Sequence, residues 1–156
     1  MTDRSGIICA GNWIVDLIHE LDRWPKESEL VRIGTQARGV GGGPANVITT
    51  LAKLETGLPL YPMGAIGEDE YGAFILKECR RLGLPTSGLI SKTDVATAHT
   101  HVMSVAGQSR TFFYQGGAND TLNIEDFPEG TFKDTSALIF YLGYLTLLRD
   151  LDQILD

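Results

Sequence analysis

Gly39-Val40-Gly41-Gly42-Gly43-Pro44-Ala45-Asn46 is the stretch on which the reading of this chain turns. Three successive glycines run into a segment whose apolar positions, Ala45, Ile48, Leu51, Ala52 and Leu54, recur with a helical period. Pro44 suits the first turn of that helix, because the N–H it lacks would have had no intrahelical partner there. Glycine is needed where backbone passes very close to a bound molecule or adopts positive φ, so the loop reads as a ligand-binding entry to a helix; a flexible turn is the plainer alternative. Phosphate-loop patterns do not fit: a dinucleotide fingerprint would need glycine where Pro44 or Asn46 stands, and no Gly-Lys-Ser/Thr occurs in the chain. The loop is better suited to offering amides to hydroxyls. Asn46 carries a side-chain amide that both donates and accepts, as gripping a polyol requires, with helix capping as its simpler role.

On the N-terminal side, Gly6 to Ala10 (GIICA) is a short continuous apolar run ended by Gly11, the pattern of a strand covered on both faces in a parallel sheet. Asp16 follows just past the end of that strand, at the edge where ligands of open α/β sheets bind. A carboxylate accepting two hydroxyls there would be charge-assisted; the alternative is an ordinary solvated acid like Glu20 or Asp22. Residues 12 to 40 are otherwise polar, contain Pro25 and one weakly alternating piece from Glu29 to Ile33, and read as an excursion to an edge.

On the C-terminal side, Gly57 closes the first helix and Leu58 to Ile66 returns as a strand. A second helix begins at Glu68-Asp69, carries Tyr71, Phe74, Ile75, Cys79 and Leu82 on one stripe and Arg80 and Arg81 in its last turn, and ends at Gly83. Strand, helix, strand, helix is the signature of an α/β fold with a largely parallel sheet. The pattern then changes: Thr97, His99, His101 and Met103 alternate with Ala98, Thr100, Val102 and Ser104, a turn spans Ala106 to Gln108, and Thr111 to Tyr114 runs back as a hairpin. Leu138 to Leu142 gives one more apolar strand and Leu147 to Leu155 the start of a helix.

The 156 residues are 43% apolar, enough for one domain with a sizeable core. Thirteen basic against twenty acidic residues give a formal charge of −7, with no basic stripe, which speaks against a nucleic-acid partner. The longest apolar stretch, Ala137 to Leu148, is interrupted by Gly143 and falls short of a membrane span, so no membrane partner is expected. Cys9 and Cys79 read as buried free thiols, and the polar Met1 to Gly6 lacks the pattern of a signal peptide; together these suggest a cytoplasmic protein. His99 and His101 share one strand face, but with no third ligand apparent they read as lid-strand residues and no metal site is expected.

Gly41-Gly-Gly-Pro-Ala-Asn46 with its helix, and Met63-Gly-Ala-Ile-Gly-Glu-Asp-Glu-Tyr-Gly72, resemble the first signature region of the PfkB, ribokinase-like, carbohydrate kinases. The likeness extends to Gly11-Asn-Trp-Ile-Val-Asp16, Leu82-Gly-Leu and Gly117-Ala-Asn119, so it covers essentially the whole chain. It implies a three-layer αβα fold with a mostly parallel sheet and a small β lid, residues 1–156 forming its N-terminal part with the C-terminal half absent. The two segments that break the plain pattern, about 13–38 and 95–115, would form the lid. By resemblance Asp16, Gly42, Gly43 and Asn46 would bind sugar hydroxyls, with Asn12 nearby as a further candidate.

The same resemblance implies phosphoryl transfer from ATP, with magnesium, to a sugar or sugar-like hydroxyl by the complete protein. A non-catalytic sugar-binding or regulatory module derived from such a kinase is the alternative. The second family signature, Asp-Thr-x-Gly-Ala-Gly-Asp-like, supplies the anion hole and catalytic base and does not occur here. No catalytic residue is therefore expected in this chain, ATP and magnesium would be held mainly by the missing half, and the 156 residues alone should be inactive. Some relatives meet an acidic sugar with an arginine where Tyr114 and Gln115 stand, which argues against a keto-acid sugar, although Arg110 could still reach a carboxylate or phosphate. Fructose, ribose, a phosphorylated hexose and a nucleoside all stay open. Val102, Val105, Phe112 and Phe113 would leave an apolar lid face exposed, so a homodimer through the lid is expected.

Overall fold

The computed structural model describes residues 4–127 and 130–152. Two four-stranded sheets make up the frame. The first is wholly parallel, in the order β5 (Leu89–Lys92), β4 (Leu60–Gly67), β1 (Gly6–Gly11), β8 (Ala137–Gly143). GIICA is apolar on both sides because both faces of β1 are covered: Ile8, Cys9 and Ala10 are buried.

Helices α1 (Gly43–Lys53) and α2 (Glu70–Arg81) pack on the face that carries Cys9 and Ile66, where Trp13, Ala45, Ile48, Ile75 and Cys79 complete the core. The opposite face, with Ile8, Ala10, Met63 and Ala65, is covered more thinly by 3₁₀ turns at Gly117–Thr121 and Ile124–Asp126 and by the one-turn helix Arg149–Asp152. Both thiols are buried, which pushes each pKa up to about 11 and makes them poor nucleophiles. Among the described residues no helix is long and apolar enough to cross a membrane.

The second sheet is the lid, in the order β3 (Ile33–Gly41), β2 (Ile14–Leu21), β6 (His99–Val105), β7 (Thr111–Gln115). The hairpin expected between 97 and 114 is β6 and β7, antiparallel. The polar excursion contributes β2 and β3, and β2 lies parallel to β6, which binds the two lid segments into one sheet.

Five details differ from the sequence reading. Strand β3 starts at Ile33 and runs to Gly41, so the lid reaches the glycine loop itself, because Gly39, Val40 and Gly41 pair with Asp16, Val15 and Ile14. Helix α1 ends at Lys53, since Glu55 takes a left-handed φ of 50°, and Leu54 is exposed instead of on the buried stripe. Strand β5 was not expected at all; its four residues, LISK, are too short and too polar to show a pattern. After β8 a 3₁₀ turn at Leu145–Leu147 precedes the Arg149–Asp152 turn, and the remainder of the expected helix lies outside the described residues. Val102 and Val105 are buried within the chain, so the exposed large apolar residues of the lid strands are Ile18, Ile33, Phe112, Phe113 and Tyr114.

Candidate functional site

The chain passes from the main sheet to the lid through Asn12 and Trp13, and both are fully buried. Trp13 is held at three points. Its indole N–H donates to the Met63 carbonyl at 2.9 Å, its amide donates to Asn119 Oδ1 at 3.2 Å, and its carbonyl accepts from Asn119 Nδ2 at 3.2 Å. Asn119 also donates to the Tyr114 hydroxyl at 3.3 Å, so one buried amide joins the entry to β2 with the exit from β7. Asn12 Oδ1 accepts from the Gly43 amide at 3.1 Å, fixing the glycine loop to the same crossing, while its Nδ2 has no partner.

The three glycines have separate reasons to be glycine. A Cβ on Gly41 would collide with the Asp16 carboxylate, whose Cγ would stand at 2.8 Å. Gly42 has φ 97° and its hydrogen would be replaced by a carbon driven into the Asn12 carbonyl. A Cβ on Gly43 would overlap the Tyr144 ring, with Cε2 at 2.9 Å. Asp16, Asn12 and the glycines thus come together at the carboxyl end of β1, the edge of an open α/β sheet where ligands bind.

Asp16 lies within β2, half-buried, on the lid face that also carries Thr100 and Tyr114, its partners across the strands. Burial raises its pKa above the ordinary carboxylate value, while the Thr100 hydroxyl and the charge of Arg110 pull the other way. A partly desolvated carboxylate is a strong acceptor for hydroxyl donors. Asn46 is exposed in the first turn of α1, tied to the loop through its amide, which donates to the Gly42 carbonyl at 2.9 Å. Asn12 differs from the other candidates in being enclosed; it holds the loop through Gly43 instead of standing at an open surface.

His99 and His101 fall on the opposite lid face from Asp16, because side chains alternate along a strand. His101 Nδ1 lies 3.1 Å from Nε2 of His19, with the rings stacked at 5.3 Å, and His99 packs on Tyr71 of α2. Among the described residues no group of three histidine, cysteine or acidic side chains is arranged to hold a metal ion.

Two residues that hold the site together were not singled out from the sequence. Asn119 stands in a segment that carried the family likeness, but its partner Trp13 is 106 positions away. Asp69 was read only as a helix start. It caps α2, accepting from the Gly72 amide at 2.8 Å, and also accepts from the Thr97 hydroxyl at 2.6 Å and the Thr97 amide at 2.8 Å, which anchors the chain just before lid strand β6.

The pfkB family carbohydrate kinases match this chain over residues 4–146, which hold the glycine loop, the half-buried aspartate against it and the four-stranded lid joined to the parallel sheet. The chain belongs to that family. A 5-dehydro-2-deoxygluconokinase of Listeria innocua is 31% identical over 139 residues, 87% of this chain and 41% of the relative. A ribokinase of Bacillus subtilis is 30% identical over 115 residues, 72% of this chain and 38% of the relative. Among solved structures, ribokinase from Giardia lamblia superposes with a TM-score of 0.79 at 21% identity, over 88% of this chain and 44% of that one. Arabidopsis thaliana ribokinase complexed with ribose and ATP gives 0.73 at 26% identity, over 88% and 45%. The pfkB chain described here therefore spans less than half the length of the relatives it matches.

Proposed function

We propose that the complete protein transfers a phosphoryl group from ATP to a hydroxyl of a sugar or sugar-like acceptor, and that this chain supplies the acceptor-binding shelf and its lid. The observation that carries the reading is the Asp16 carboxylate seated against Gly41 beside the glycine loop, at the carboxyl edge of the parallel sheet. In this reading Asp16 accepts from acceptor hydroxyls, the Gly42 and Gly43 backbone allows close approach, Asn46 donates and accepts at the rim, and Asn12 positions the loop.

The relatives' names and the ATP in the Arabidopsis complex support ATP as donor, with magnesium as its usual companion. The residues of this chain do not fit either group. They lack the second family signature and, among those described, a cluster of metal ligands, so no step of the transfer is assigned to them. Their part is to bind and orient the acceptor and, with the lid, to exclude water. The 156 residues alone are accordingly expected to be inactive, in a cytoplasmic setting that suits two buried thiols.

The acceptor is undivided between neutral and acidic sugars. By resemblance Tyr114 and Gln115 stand where some relatives carry an arginine for an acidic sugar, yet the charge of Arg110 reaches Asp16 and could serve a carboxylate, and one relative is named for a keto acid. A coupled ADP-release assay on the full-length protein with magnesium, ATP and a panel of neutral sugars, keto acids, sugar phosphates and nucleosides tests the reading. Turnover with one class is expected, and Asp16→Ala should abolish it with little loss of stability. A folded, ATP-binding protein that turns over none of them would favour the non-catalytic sugar-binding module. Unchanged acceptor affinity in Asp16→Ala would remove that residue from the site.

A further inference from the structure

Tyr144 is the first residue after β8, and it takes a left-handed backbone conformation, φ 54° and ψ 52°. A bulky residue other than glycine seldom stays in that region unless its surroundings demand it, and such residues cluster at functional sites. The surroundings here are the ends of β1 and β8 and the glycine loop, packed closely together. A Cβ on Gly11, at the end of β1, would meet the Gly143 carbonyl at 2.7 Å and Pro44 of the loop at 3.5 Å. A Cβ on Gly43 would enter the Tyr144 ring, with the Tyr141 hydroxyl at 3.4 Å. The backbone turn thus lays the Tyr144 ring on the glycine loop, and the residue nonetheless remains 60% exposed. The ring therefore stands on the edge of the sheet where Asp16 and the loop converge.

A sugar ring has hydroxyls at its rim and a face of C–H bonds, while an aromatic face is negative and rigid and takes such a surface at little entropic cost. We propose that Tyr144 is a specificity-determining wall of the acceptor site: its ring receives the apolar face of the sugar while Asp16 and Asn46 take the hydroxyls. Gly43 is then glycine chiefly to yield space to that ring. This rests on the reading of the loop as a sugar site and adds to it a residue outside the motifs that carried the family likeness.

The test is calorimetric titration of the full-length protein with D-fructose, D-ribose, 5-dehydro-2-deoxy-D-gluconate and inosine as probes, together with KM and kcat for the probe that turns over. Tyr144→Ala should weaken binding and raise KM by about five- to tenfold, with a smaller effect on kcat, and Tyr144→Phe should restore affinity. Tyr144→Gly should weaken binding while raising Tm by about a few degrees, since glycine relieves the left-handed backbone. A purely structural role predicts the reverse for that variant, lower Tm with unaltered affinity, and would overturn the proposal. Wild-type affinity in Tyr144→Ala alongside lost binding in Asp16→Ala would sink the role of Tyr144 and leave the sugar site standing. Unchanged binding in both variants, or binding of none of the four probes by the wild-type protein, would overturn the sugar-site reading and the Tyr144 role with it.

Discussion

Asp69 shows how much one side chain can hold when its partners come from two elements. Burial acts to raise its pKa, but the Thr97 hydroxyl and the amides of Gly72, Thr97 and Tyr71 outweigh it and hold the carboxyl below its ordinary value. A group depressed in this way contributes stability above its unfolded pKa and loses it as pH falls through the folded one. Asp69→Ala removes a helix cap and leaves the amide of the fully buried Thr97 without its acceptor, while the Thr97 hydroxyl keeps Gly67, so a loss of about 2–4 kcal/mol is expected in urea unfolding of the full-length protein. A loss under about 1 kcal/mol would mean that water replaces the carboxylate. Its position before a helix was legible in the sequence. The bond to Thr97, 28 residues on, was not, because no local pattern marks which distant backbone a cap will also serve.

Among the elements, the lid is where charge and fold interact most. His19, His99 and His101 line one face, with Gln36 Nε2 donating to His19 Nδ1 and Arg38 stacked on Phe74 of α2. Burial first, then the charges of His19 and His99, lowers the His101 pKa below its ordinary 6.5. The neutral form is therefore favoured in the fold, and the unfolded chain takes up its proton first as the solution is acidified. Stability from this group is full above the ordinary histidine value and is lost as pH falls from there through the folded value. Hydrogen exchange should accordingly show β2 and β6 amides losing protection relative to β1 between about pH 7.5 and 5.5, with the loss reduced in His101→Gln. A constant ratio across that range would count against the effect. The hairpin β6–β7 and helices α1 and α2 were legible because their periods are local; β5 was not, since a four-residue strand is defined only by the neighbour it pairs with.

At the scale of the whole molecule, two apolar surfaces remain open among the described residues. Edge strand β8 exposes Leu138 (69%), Ile139 (52%) and Phe140 (43%), in a chain that spans 41% of a curated relative. The 156 residues on their own should bind a hydrophobic dye and self-associate more than the full-length protein, with Phe140→Ser reducing both; equal dye binding by the two lengths would show that the rest of the protein leaves this face bare. The lid exposes Ile18, Phe112 and Tyr114 on the face that carries Asp16, which supports the proposed homodimer. Sedimentation of the full-length protein should give a dimer at micromolar concentration and a monomer for Phe112→Glu, whereas a wild-type monomer would end that proposal.

The sequence by itself determined the largely parallel α/β frame, the glycine loop and the hairpin, because apolar period and glycine placement are properties of neighbouring residues; the proposed set Asp16, Gly42, Gly43 and Asn46 came with the family resemblance. Tertiary structure alone decided that β2 joins β6 to make one lid, that Asn12 and Asn119 hold the crossing between the sheets, and that Gly43 lies under Tyr144. Each of these is a contact across dozens of residues, fixed by which buried polar groups must find partners once the sheets have packed.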